Sequence, residues 1–369
     1  MHPSPAGAAE QIWREEPRGG YPDPAVLGMS GIERLSRFAR GESPAPPLSH
    51  LTGARVAEVG AGTASASMPS SEWLLNSAGV IGGGVLAIVA DIAFGCSIET
   101  ELPPATPYTT AELSLTFLKP VHPPGRVTAS GQAIHVGRSL ALSEVFAIED
   151  ETDRLVAHGT SRCAVLPPLD PAPEPPGDVR PVEPPTDPES DPWRRPPPEG
   201  AVIGQELWDS LSGAEILDRQ LRGDLPPPPI SELTGMRPTE AGEGTATFVL
   251  PCTEWLTSPM RTVQGGVTAM LADTAMQVAI QTTTRPGTAI AGLDLKVNYL
   301  RPVMPDGRDL TARAHVIHSG RRIAITQARV ENADGKPVAL ATGSSMFLTD
   351  RPASLGEAEL APGPDSADQ

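Results

Sequence analysis

One stretch of sequence occurs twice in the chain and decides its fold. Residues 73–91 read WLLNSAGVIGGGVLAIVAD, and residues 255–273 read WLTSPMRTVQGGVTAMLAD. Eight of these nineteen positions are identical at an offset of 182 residues. The same register continues downstream, where FLKPV at 117–121 aligns with YLRPV at 299–303. Because solenoid repeats recur at roughly 20–50 residues, this much longer period indicates a duplicated domain.

Proline-rich stretches separate two blocks of similar size. The chain has 369 residues, enough for two domains that each bury a core. Many of its 43 prolines cluster in the middle of the chain, which reads PPLDPAPEPPG from residue 167. We predict a disordered segment over 1–30, a first domain over 31–166, a Pro-rich linker over 167–204, a second domain over 205–349 and a disordered acidic tail over 350–369.

The charge and the cysteine content exclude several classes of partner. The formal net charge is −17 and the pI is about 4.8, whereas nucleic acids and anionic membranes require a basic surface. Three widely spaced cysteines, Cys96, Cys163 and Cys252, form neither a disulfide framework nor a metal-ligand pattern. No run reaches the ~18 apolar residues of a membrane span, and the N-terminus has no signal-peptide core. These features predict a soluble cytoplasmic protein without a metal.

The residue pattern of each block predicts one buried helix and a sheet. Residues 85–94 and 267–278 are apolar on nearly every side, which is typical of a helix that its neighbours cover completely. In residues 110–117, Leu113, Leu115 and Phe117 alternate with polar residues and predict a strand. The other predicted elements of the first block are a short helix (32–38), a first strand (54–68) and strands near 126–135, 138–149 and 155–165. An antiparallel sheet wrapped around one central helix satisfies this order.

These features resemble the hotdog-fold thioesterases of the phenylacetic-acid-degradation (PaaI-like) type. The resemblance rests on the Gly-Gly pair that opens the central helix, on an Asp eight residues after its first Gly, and on the FLKPV and YLRPV strand ends. The HVGR and HSGR segments and the closing strands LVAHG and PVALATG extend it over both blocks. The resemblance implies an α+β fold with two tandem hotdog domains that pair within one chain as a double hotdog.

Asp91 and Asp273 are the strongest candidates for chemistry. Asp is unfavourable within a helix, and an unpaired carboxylate is costly to bury among Val, Ala, Ile and Met. Both copies nevertheless hold one at the same position. One interpretation is a buried Asp that accepts hydrogen bonds from a strand backbone. The other, which the resemblance also implies, is a general base or nucleophile in an apolar cleft.

Gly83 and Gly265 open the two central helices and are predicted to stabilise an oxyanion. The first N–H groups of a helix lack intrahelical partners, so one that is aimed at a thioester carbonyl can stabilise the negative oxygen. The alternative is that Gly-Gly only lets the helix start close to the sheet. Eight residues of helix span about 12 Å, so Gly83 and Asp91 cannot both reach one thioester carbon. In the resembling family two hotdogs share each site, which implies that Gly83 faces Asp273 and Gly265 faces Asp91.

The resemblance assigns a further residue to the Gly83 site. Asn76 corresponds to the position that orients the substrate carbonyl, and its counterpart in the second copy is Ser258. The residue before Gly-Gly is often His in the family. Here it is Gly82 in the first copy and Gln264 in the second, so an amide replaces the imidazole at only one of the two sites.

The Asp91 site is predicted to be the better equipped of the two. The family often has a Ser or Thr about eighteen residues after the Asp, where it positions water. That position is Thr109 after Asp91, but Ala291 after Asp273. The expected set at the better site is Asp91, Thr109, Gln264 and Gly265.

Five cations are candidates for binding the phosphates of coenzyme A. Arg138, Arg321 and Arg322 are predicted to lie on strands, after a Gly, whereas Lys119 and Arg301 end a strand just before Pro. In an acidic protein such residues are reasonable phosphate contacts. For each of them the alternative is a solvated surface cation.

The leading hypothesis is an acyl-CoA thioesterase that acts on a fatty- or aryl-acyl-CoA. Coenzyme A would enter as part of the substrate, and no other cofactor is expected. The main alternative is a non-catalytic double hotdog that binds acyl-CoA, which the missing His before both Gly-Gly pairs favours. An enoyl-acyl hydratase is weaker, because no His lies near either Gly-Gly or Asp. Homo-oligomers of double hotdogs are compatible with each alternative.

Overall fold

Each block forms six antiparallel strands around one long helix. The computed structural model describes residues 11–176 and 191–349, together with Pro352. The strands of the first copy are β1 (Arg55–Gly60), β2 (Thr63–Pro69), β3 (Tyr108–Phe117), β4 (Arg126–Val136), β5 (Leu140–Glu149) and β6 (Arg154–Val165). Those of the second copy are β7 (Arg237–Gly242), β8 (Thr245–Pro251), β9 (Ala289–Tyr299), β10 (Asp309–Ser319), β11 (Ile323–Glu331) and β12 (Pro337–Leu348).

The two central helices are buried along almost their whole length. The helices are α1 (Gly31–Ala39), α2 (Pro47–Thr52), α3 (Gly83–Glu99), α4 (Gln205–Ser210), α5 (Gly213–Arg222), α6 (Pro229–Thr234) and α7 (Gly265–Gln281). The sheet covers one side of α3 and α7, and each of these helices covers part of the other. Their lack of a polar face follows from this arrangement, and the predicted hotdog fold is confirmed.

The segment predicted as one first strand is a hairpin in both copies. Residues 54–68 contain β1 and β2 with Gly62 in the turn, and residues 236–250 contain β7 and β8 with Gly244 in the turn. These glycines have φ values of +68° and +69°, a left-handed conformation that glycine adopts without a Cβ clash. The turn is too short to interrupt the residue pattern visibly.

The two sheets join edge to edge into a single twelve-stranded sheet. The strand order is β1-β2-β4-β5-β6-β3-β9-β12-β11-β10-β8-β7. At the seam β3 and β9 pair antiparallel, so that Leu113 lies opposite Val297 and Leu115 lies opposite Leu295. All four side chains are buried, which makes the seam part of one continuous core. The predicted pairing of the two hotdogs within one chain is confirmed.

A buried carboxylate crosses the same seam. Glu112 on β3 accepts a hydrogen bond from Arg162 Nε at 3.0 Å and lies 3.4 Å from Lys296 Nζ on β9. Glu112 is only 6% exposed, and its two cationic neighbours offset the desolvation of its charge. Because one cation comes from each copy, this cluster ties the two domains together.

The N-terminal arm (residues 11–22) is packed, although we predicted disorder over 1–30. Ile12 is 2% exposed and belongs to the main core. A Cβ on Gly235 would lie 2.8 Å from the Trp13 ring, and Trp255 Nε1 donates to the carbonyl oxygen of Glu15 at 3.1 Å. The sequence does not predict this order, because the contacts of Ile12, Trp13 and Glu15 with the core come from residues distant in sequence.

The second arm (residues 191–204) is packed in the same way, within what we predicted to be linker. Trp193 lies against Gly53, where a Cβ would come 3.0 Å from its ring. Trp73 Nε1 donates to the carbonyl oxygen of Arg195 at 2.7 Å. Gly53 and Trp73 belong to the first copy, whereas the N-terminal arm packs on the second. The tryptophan of each arm therefore packs on the domain that does not directly follow it, whereas Gly20 N in the N-terminal arm and the Ile203 carbonyl oxygen in the second arm are also hydrogen-bonded to the domain that does.

The other predicted unstructured segments, at 1–10, at 177–190 and in the acidic tail, lie outside the described residues, except for Pro352. Over the ranges that the structure covers, no helix is both long and apolar enough to cross a membrane. Within the same ranges, no group of three or more His, Cys, Asp or Glu side chains is arranged to hold a metal ion.

Candidate active site

The central helices approach each other closely at their glycine-rich N-termini. A Cβ atom on Gly84 would lie 2.7 Å from Asp273 Cβ. A Cβ atom on Gly266 would lie 2.4 Å from the carbonyl oxygen of Ala87 and 2.6 Å from Ile88 Cα. Only glycine permits such a close approach of two backbones. The contact brings the first turn of each helix to the middle of the other helix, where the aspartates lie.

Asp91 lies at the N-terminus of α7, the helix of the other copy. Its Oδ2 accepts a hydrogen bond from Gly266 N at 3.1 Å, and its Oδ1 accepts one from Thr110 Oγ1 at 3.1 Å. Gly265 is adjacent, since a Cβ there would lie 2.9 Å from Asp91 Oδ2. The Gly265 N–H is a further first-turn donor beside the carboxylate. The site thus combines groups from both copies.

Thr110, rather than the predicted Thr109, supplies the hydroxyl group. Thr109 is exposed, whereas Thr110 faces the helix and bonds to Asp91. The register of β3 shifts between Thr110 and Glu112, where a bulge adds one residue. Such a bulge reverses which side chains face the core. A count by twos back from Leu113 therefore also selects Thr109, the residue predicted from the family spacing of about eighteen residues after Asp91.

Gln264 and Tyr299 complete the surroundings of Asp91. Gln264 Nε2 donates to the carbonyl oxygen of Ile88 at 2.9 Å, about one turn before Asp91. Gln264 Oε1 is buried and has no hydrogen-bond partner among the described residues, so an acceptor is left unsatisfied beside the site. Tyr299 OH donates to the carbonyl oxygen of Gly265 at 2.9 Å and fixes the backbone of that glycine.

Asp273 has different partners in the other site. Its Oδ2 accepts a hydrogen bond from Gly84 N at 2.8 Å, and its Oδ1 accepts one from Gln277 Nε2 at 3.3 Å. Gln277 Oε1 in turn accepts a hydrogen bond from Ser345 Oγ at 2.9 Å. Both oxygens of the Asp273 carboxylate and the amide beside it are therefore engaged within the protein.

The Asp273 site lacks counterparts of Gln264 and Tyr299. Gly82 occupies the position of Gln264, and no atom lies within 4 Å of where its Cβ would be. Phe117 occupies the position of Tyr299 and covers Gly83, whose Cβ would lie 2.4 Å from the ring. Phenylalanine has no hydroxyl to fix the glycine carbonyl. Two polar groups that surround Asp91 are consequently missing here.

Two positions near the aspartates have exchanged large and small residues between the copies. Gln277 stands where the first copy has Gly95, and Gly292 stands where it has Thr110. A Cβ on Gly292 would lie 2.9 Å from Gln277 Nε2, so Gln277 fills the space that a threonine would need. Each aspartate therefore receives one side-chain hydrogen bond. The donor to Asp91 is Thr110 on strand β3, whereas the donor to Asp273 is Gln277 on the same helix, α7.

Burial raises the pKa of Asp91 and of Asp273 to about 6. At Asp91 the hydrogen bond from Thr110 and the amides of Gly266 and Gly265 oppose this rise. At Asp273 the Gly84 amide and Gln277 oppose it, while the negative charge of Asp294 adds to it. A carboxyl group with a pKa near 6 is ionised at neutral pH and is a stronger base than an ordinary Asp, which suits proton abstraction.

The raised pKa of Asp91 predicts the pH dependence of any reaction in which this carboxylate is the base. An Asp that accepts a proton must be ionised, so kcat/KM should fall about tenfold per pH unit below about pH 6 and level off above it. Measurement of kcat/KM between about pH 4.5 and 8 tests this, with circular dichroism at each pH as a control for unfolding. A midpoint near 4, as for an exposed Asp, would contradict the prediction.

Asn76 is engaged in a turn before Gly83. Its Oδ1 accepts hydrogen bonds from Ala78 N at 2.9 Å and from Val80 N at 3.2 Å. Ser258 holds the corresponding turn of the second copy through Met260 N at 3.3 Å. The Asn76 carboxamide oxygen therefore shapes the loop. The predicted role in orienting a substrate carbonyl could use only the side-chain nitrogen.

The five predicted phosphate-binding cations are all exposed. Arg301 follows β9 two residues after Tyr299 and thus lies near the Asp91 site, where it also donates to the carbonyl oxygen of Pro337. Lys119 follows β3 two residues after Phe117, near the Asp273 site. The remaining three, Arg138, Arg321 and Arg322, lie in the β4–β5 and β10–β11 loops rather than on the predicted strands. Their role in binding stays a prediction.

Several groups at the two sites are not among the residues predicted from the sequence. The amides that contact the aspartates belong to Gly84 and Gly266, the second glycine of each pair. Tyr299 and Gln277 were detectable in principle, because the aligned repeats differ there by a polar group in an apolar segment. Thr110 was not detectable, because the bulge in β3 does not disturb the alternation of apolar and polar residues in the sequence.

The sequence matches a known family in both copies. The profile of the thioesterase superfamily matches residues 78–157 and residues 260–339. A Haemophilus influenzae protein provisionally named an esterase is 31% identical over 102 residues, which are 28% of this chain and 72% of that protein. Human acyl-coenzyme A thioesterase 13 is 34% identical over 86 residues, which are 22% of this chain and 59% of that protein.

Solved structures align over both domains. A hotdog-fold protein of unknown function from Alicyclobacillus acidocaldarius aligns with a TM-score of 0.52 at 14% identity and covers 82% of this chain and 97% of its own. A TesB protein from Mycobacterium avium subsp. paratuberculosis aligns with a TM-score of 0.50 at 13% identity and covers 86% and 99%. At these identities the likeness concerns the fold alone. With the repeated profile match and the esterase relative, it establishes that the chain belongs to the thioesterase superfamily, as two hotdog domains in tandem.

Proposed function

We propose that this protein is an acyl-CoA thioesterase that hydrolyses a fatty- or aryl-acyl-CoA, chiefly at the Asp91 site. Membership of the thioesterase superfamily and the name of the human relative support the reaction class. The observation that carries the proposal is the position of the buried Asp91 carboxylate beside the first-turn amides of α7, 3.1 Å from Gly266 N. This geometry supports the action of a base and of a neighbouring first-turn N–H on one reacting carbon.

Asp91 acts as the general base in the first step. It removes a proton from a water molecule, whose oxygen forms a bond to the thioester carbon while the carbonyl electron pair moves onto oxygen. The Gly265 N–H, at the positive end of the α7 dipole, stabilises that negative oxygen. The unsatisfied Gln264 Oε1 accepts the other hydrogen of the same water, and Thr110 holds the Asp91 carboxylate in place.

Collapse of the tetrahedral intermediate completes the reaction. The oxygen electron pair returns, the carbon–sulfur bond breaks, and coenzyme A leaves as its thiolate. The acyl group is released as a carboxylic acid, and the proton that Asp91 took up returns to solvent. The reaction needs no cofactor besides the coenzyme A of its substrate.

The unsatisfied acceptor of Gln264 favours general-base catalysis over direct attack by the Asp91 carboxylate. A buried amide oxygen without a partner costs free energy that a bound water would recover. Direct attack would require Asp91 to leave its hydrogen bonds with Gly266 and Thr110, whereas proton abstraction leaves the carboxylate where it is.

A double variant distinguishes catalysis from mere binding of acyl-CoA. Asp91→Asn combined with Asp273→Asn removes both bases but keeps their shape. Turnover, measured as thiol release from a panel of acyl-CoAs, should fall to background. Acyl-CoA affinity, measured by calorimetry, should stay within about threefold, because the lost groups contribute to the reaction and not to holding the ligand.

The non-catalytic alternative predicts a different result. A binding protein would release no thiol from any acyl-CoA in its wild-type form, and the double variant would not differ from it. Thiol release that persists in the folded double variant would refute the assignment of both aspartates, and the reaction would require another base.

A further inference from the structure

Arg261 adopts an unfavourable backbone conformation in the turn before Gln264. Its φ is +59°, in the left-handed region where a side chain crowds the backbone. The corresponding residue of the first copy is Gly79, with φ +75° in the same turn. In both turns the residue's N–H donates to a carbonyl oxygen three residues earlier, at 3.0 Å. An arginine where the sister copy has glycine indicates that its side chain has a use that offsets the strain.

The N-terminal arm holds the Arg261 side chain. The guanidinium carbon lies 4.5 Å from the centroid of the Tyr21 ring, which is a cation–π contact. The Tyr21 hydroxyl is hydrogen-bonded at 2.8 Å to Thr257 Oγ1, whose residue is fully buried. The ring is therefore fixed to the core of the second domain, and the guanidinium is oriented before any ligand arrives.

The turn carries Arg261 at the edge of the Asp91 site. Leu256 and Gln264 are joined by a backbone hydrogen bond of 3.0 Å, and Thr257 pairs with Val263, so residues 256–264 form a small hairpin with Arg261 near its tip. Arg261 precedes Gln264 by three residues, which limits the distance between their Cα atoms to about 10 Å. Arg261 lies too far out to touch the reacting carbon but close enough to contact a long substrate.

The guanidinium is available to an anion. Arg261 is exposed, and no carboxylate of the described residues forms an ion pair with it. Guanidinium groups bind phosphate through paired N–H donors.

We propose that Arg261 binds a phosphate of coenzyme A and makes the Asp91 site selective for CoA thioesters over thioesters that carry no phosphate. This inference rests on the proposed function. The phosphates of coenzyme A lie at the far end of the pantetheine arm from the thioester, which agrees with the position of Arg261 outside the catalytic groups. Gly79 gives the Asp273 site no such contact.

The test replaces Arg261 with glycine, which is the residue at the corresponding position of the first copy. Arg261→Gly removes the cation and relieves the strain, and it should raise KM for an acyl-CoA about fivefold to tenfold with little change in kcat. The same acyl group on pantetheine, which has no phosphate, should show no comparable change. The difference between wild type and variant should shrink at about 0.5 M NaCl, because salt screens an exposed ionic contact. Tyr21→Ala, which frees the guanidinium, should raise KM for acyl-CoA by about twofold.

Two comparisons make the outcome decisive. Arg313→Gln removes an equal charge from an exposed position of β10 and should leave KM for acyl-CoA unaltered. An equal effect of Arg261→Gly on both substrates, or no effect on either, would overturn the inference while leaving the thioesterase proposal intact. If wild type releases no thiol, the proposed function fails instead. Calorimetric titration with coenzyme A then tests the role of Arg261. The Arg261→Gly variant should bind coenzyme A more weakly than wild type does, and equal affinity would refute the contact.

Discussion

Asp91→Asn is expected to reduce kcat for acyl-CoA hydrolysis about 10²–10⁴-fold, the usual effect of removing a general base. Asp273→Asn is expected to lower it by less than about threefold. The reason is the difference between their surroundings. Asp91 has the unsatisfied Gln264 acceptor nearby, and Tyr299 fixes the Gly265 carbonyl, whereas Asp273 is hydrogen-bonded to Gln277 and faces Gly82 at the position of Gln264.

The measurement is thiol release under saturating substrate for each single variant, with thermal unfolding as the control for folding. Both variants keep the shape of the carboxylate, so similar midpoints of unfolding are required for a valid comparison. Equal losses in the two variants would show that the sites contribute equally. A larger loss for Asp273→Asn would show that the Asp273 site is the principal one.

Gly266→Ala should lower kcat about 10²-fold and destabilise the protein by about 3 kcal/mol or more. Overpacking a core costs roughly 1–3 kcal/mol when side chains can yield. Here the added Cβ would meet backbone atoms, 2.4 Å from the carbonyl oxygen of Ala87 and 2.6 Å from Ile88 Cα. The helices must separate, and a displacement of about 1 Å between a base and its oxyanion donors can lower the rate about 10²-fold.

Helix propensity makes the direction of this result informative. Alanine is better than glycine within a helix by about 1 kcal/mol, so without the clash the variant would be more stable. Gly82→Ala is the matched control, because nothing lies within 4 Å of the added Cβ and the residue has φ −63°, which alanine readily adopts. Chemical denaturation of both variants tests the prediction. An unfolding free energy of Gly266→Ala equal to that of wild type would contradict the close helix contact.

The duplication made the architecture predictable from the sequence. Two central helices without a polar face must be covered on all sides, and the distance of about 12 Å between Gly83 and Asp91 along α3 implied that base and oxyanion donor come from different helices. Both consequences depend on local sequence and simple geometry, whereas the assignment of the two helices to different copies came from the resemblance to the hotdog family. The residues around the aspartates could be predicted only in part, because β3 contains a bulge that moves Thr110 inward in place of Thr109.

Contacts between distant segments account for the remaining differences. The first copy has Gly95 and Thr110 where the second has Gln277 and Gly292. One position of each pair lies on the central helix and the other on a strand, so the sequence at either position alone does not reveal that the two changes compensate each other. The two arms are ordered by tryptophans that pack on glycines of another domain. In the described part of these segments the proline-rich composition correctly indicates a lack of α-helix and β-strand, but it does not decide whether the chain packs.

The crossed packing of the two arms bears on how the protein behaves upon dilution. If the two hotdogs were separate subunits, each arm would be exchanged between partners, and such an assembly would come apart as its concentration fell. Covalent connection makes the same contacts intramolecular, with an effective concentration set by the connecting chain. The contact of Trp13 with the second domain and that of Trp193 with the first therefore do not depend on protein concentration. Both shared sites remain assembled even when the protein is scarce.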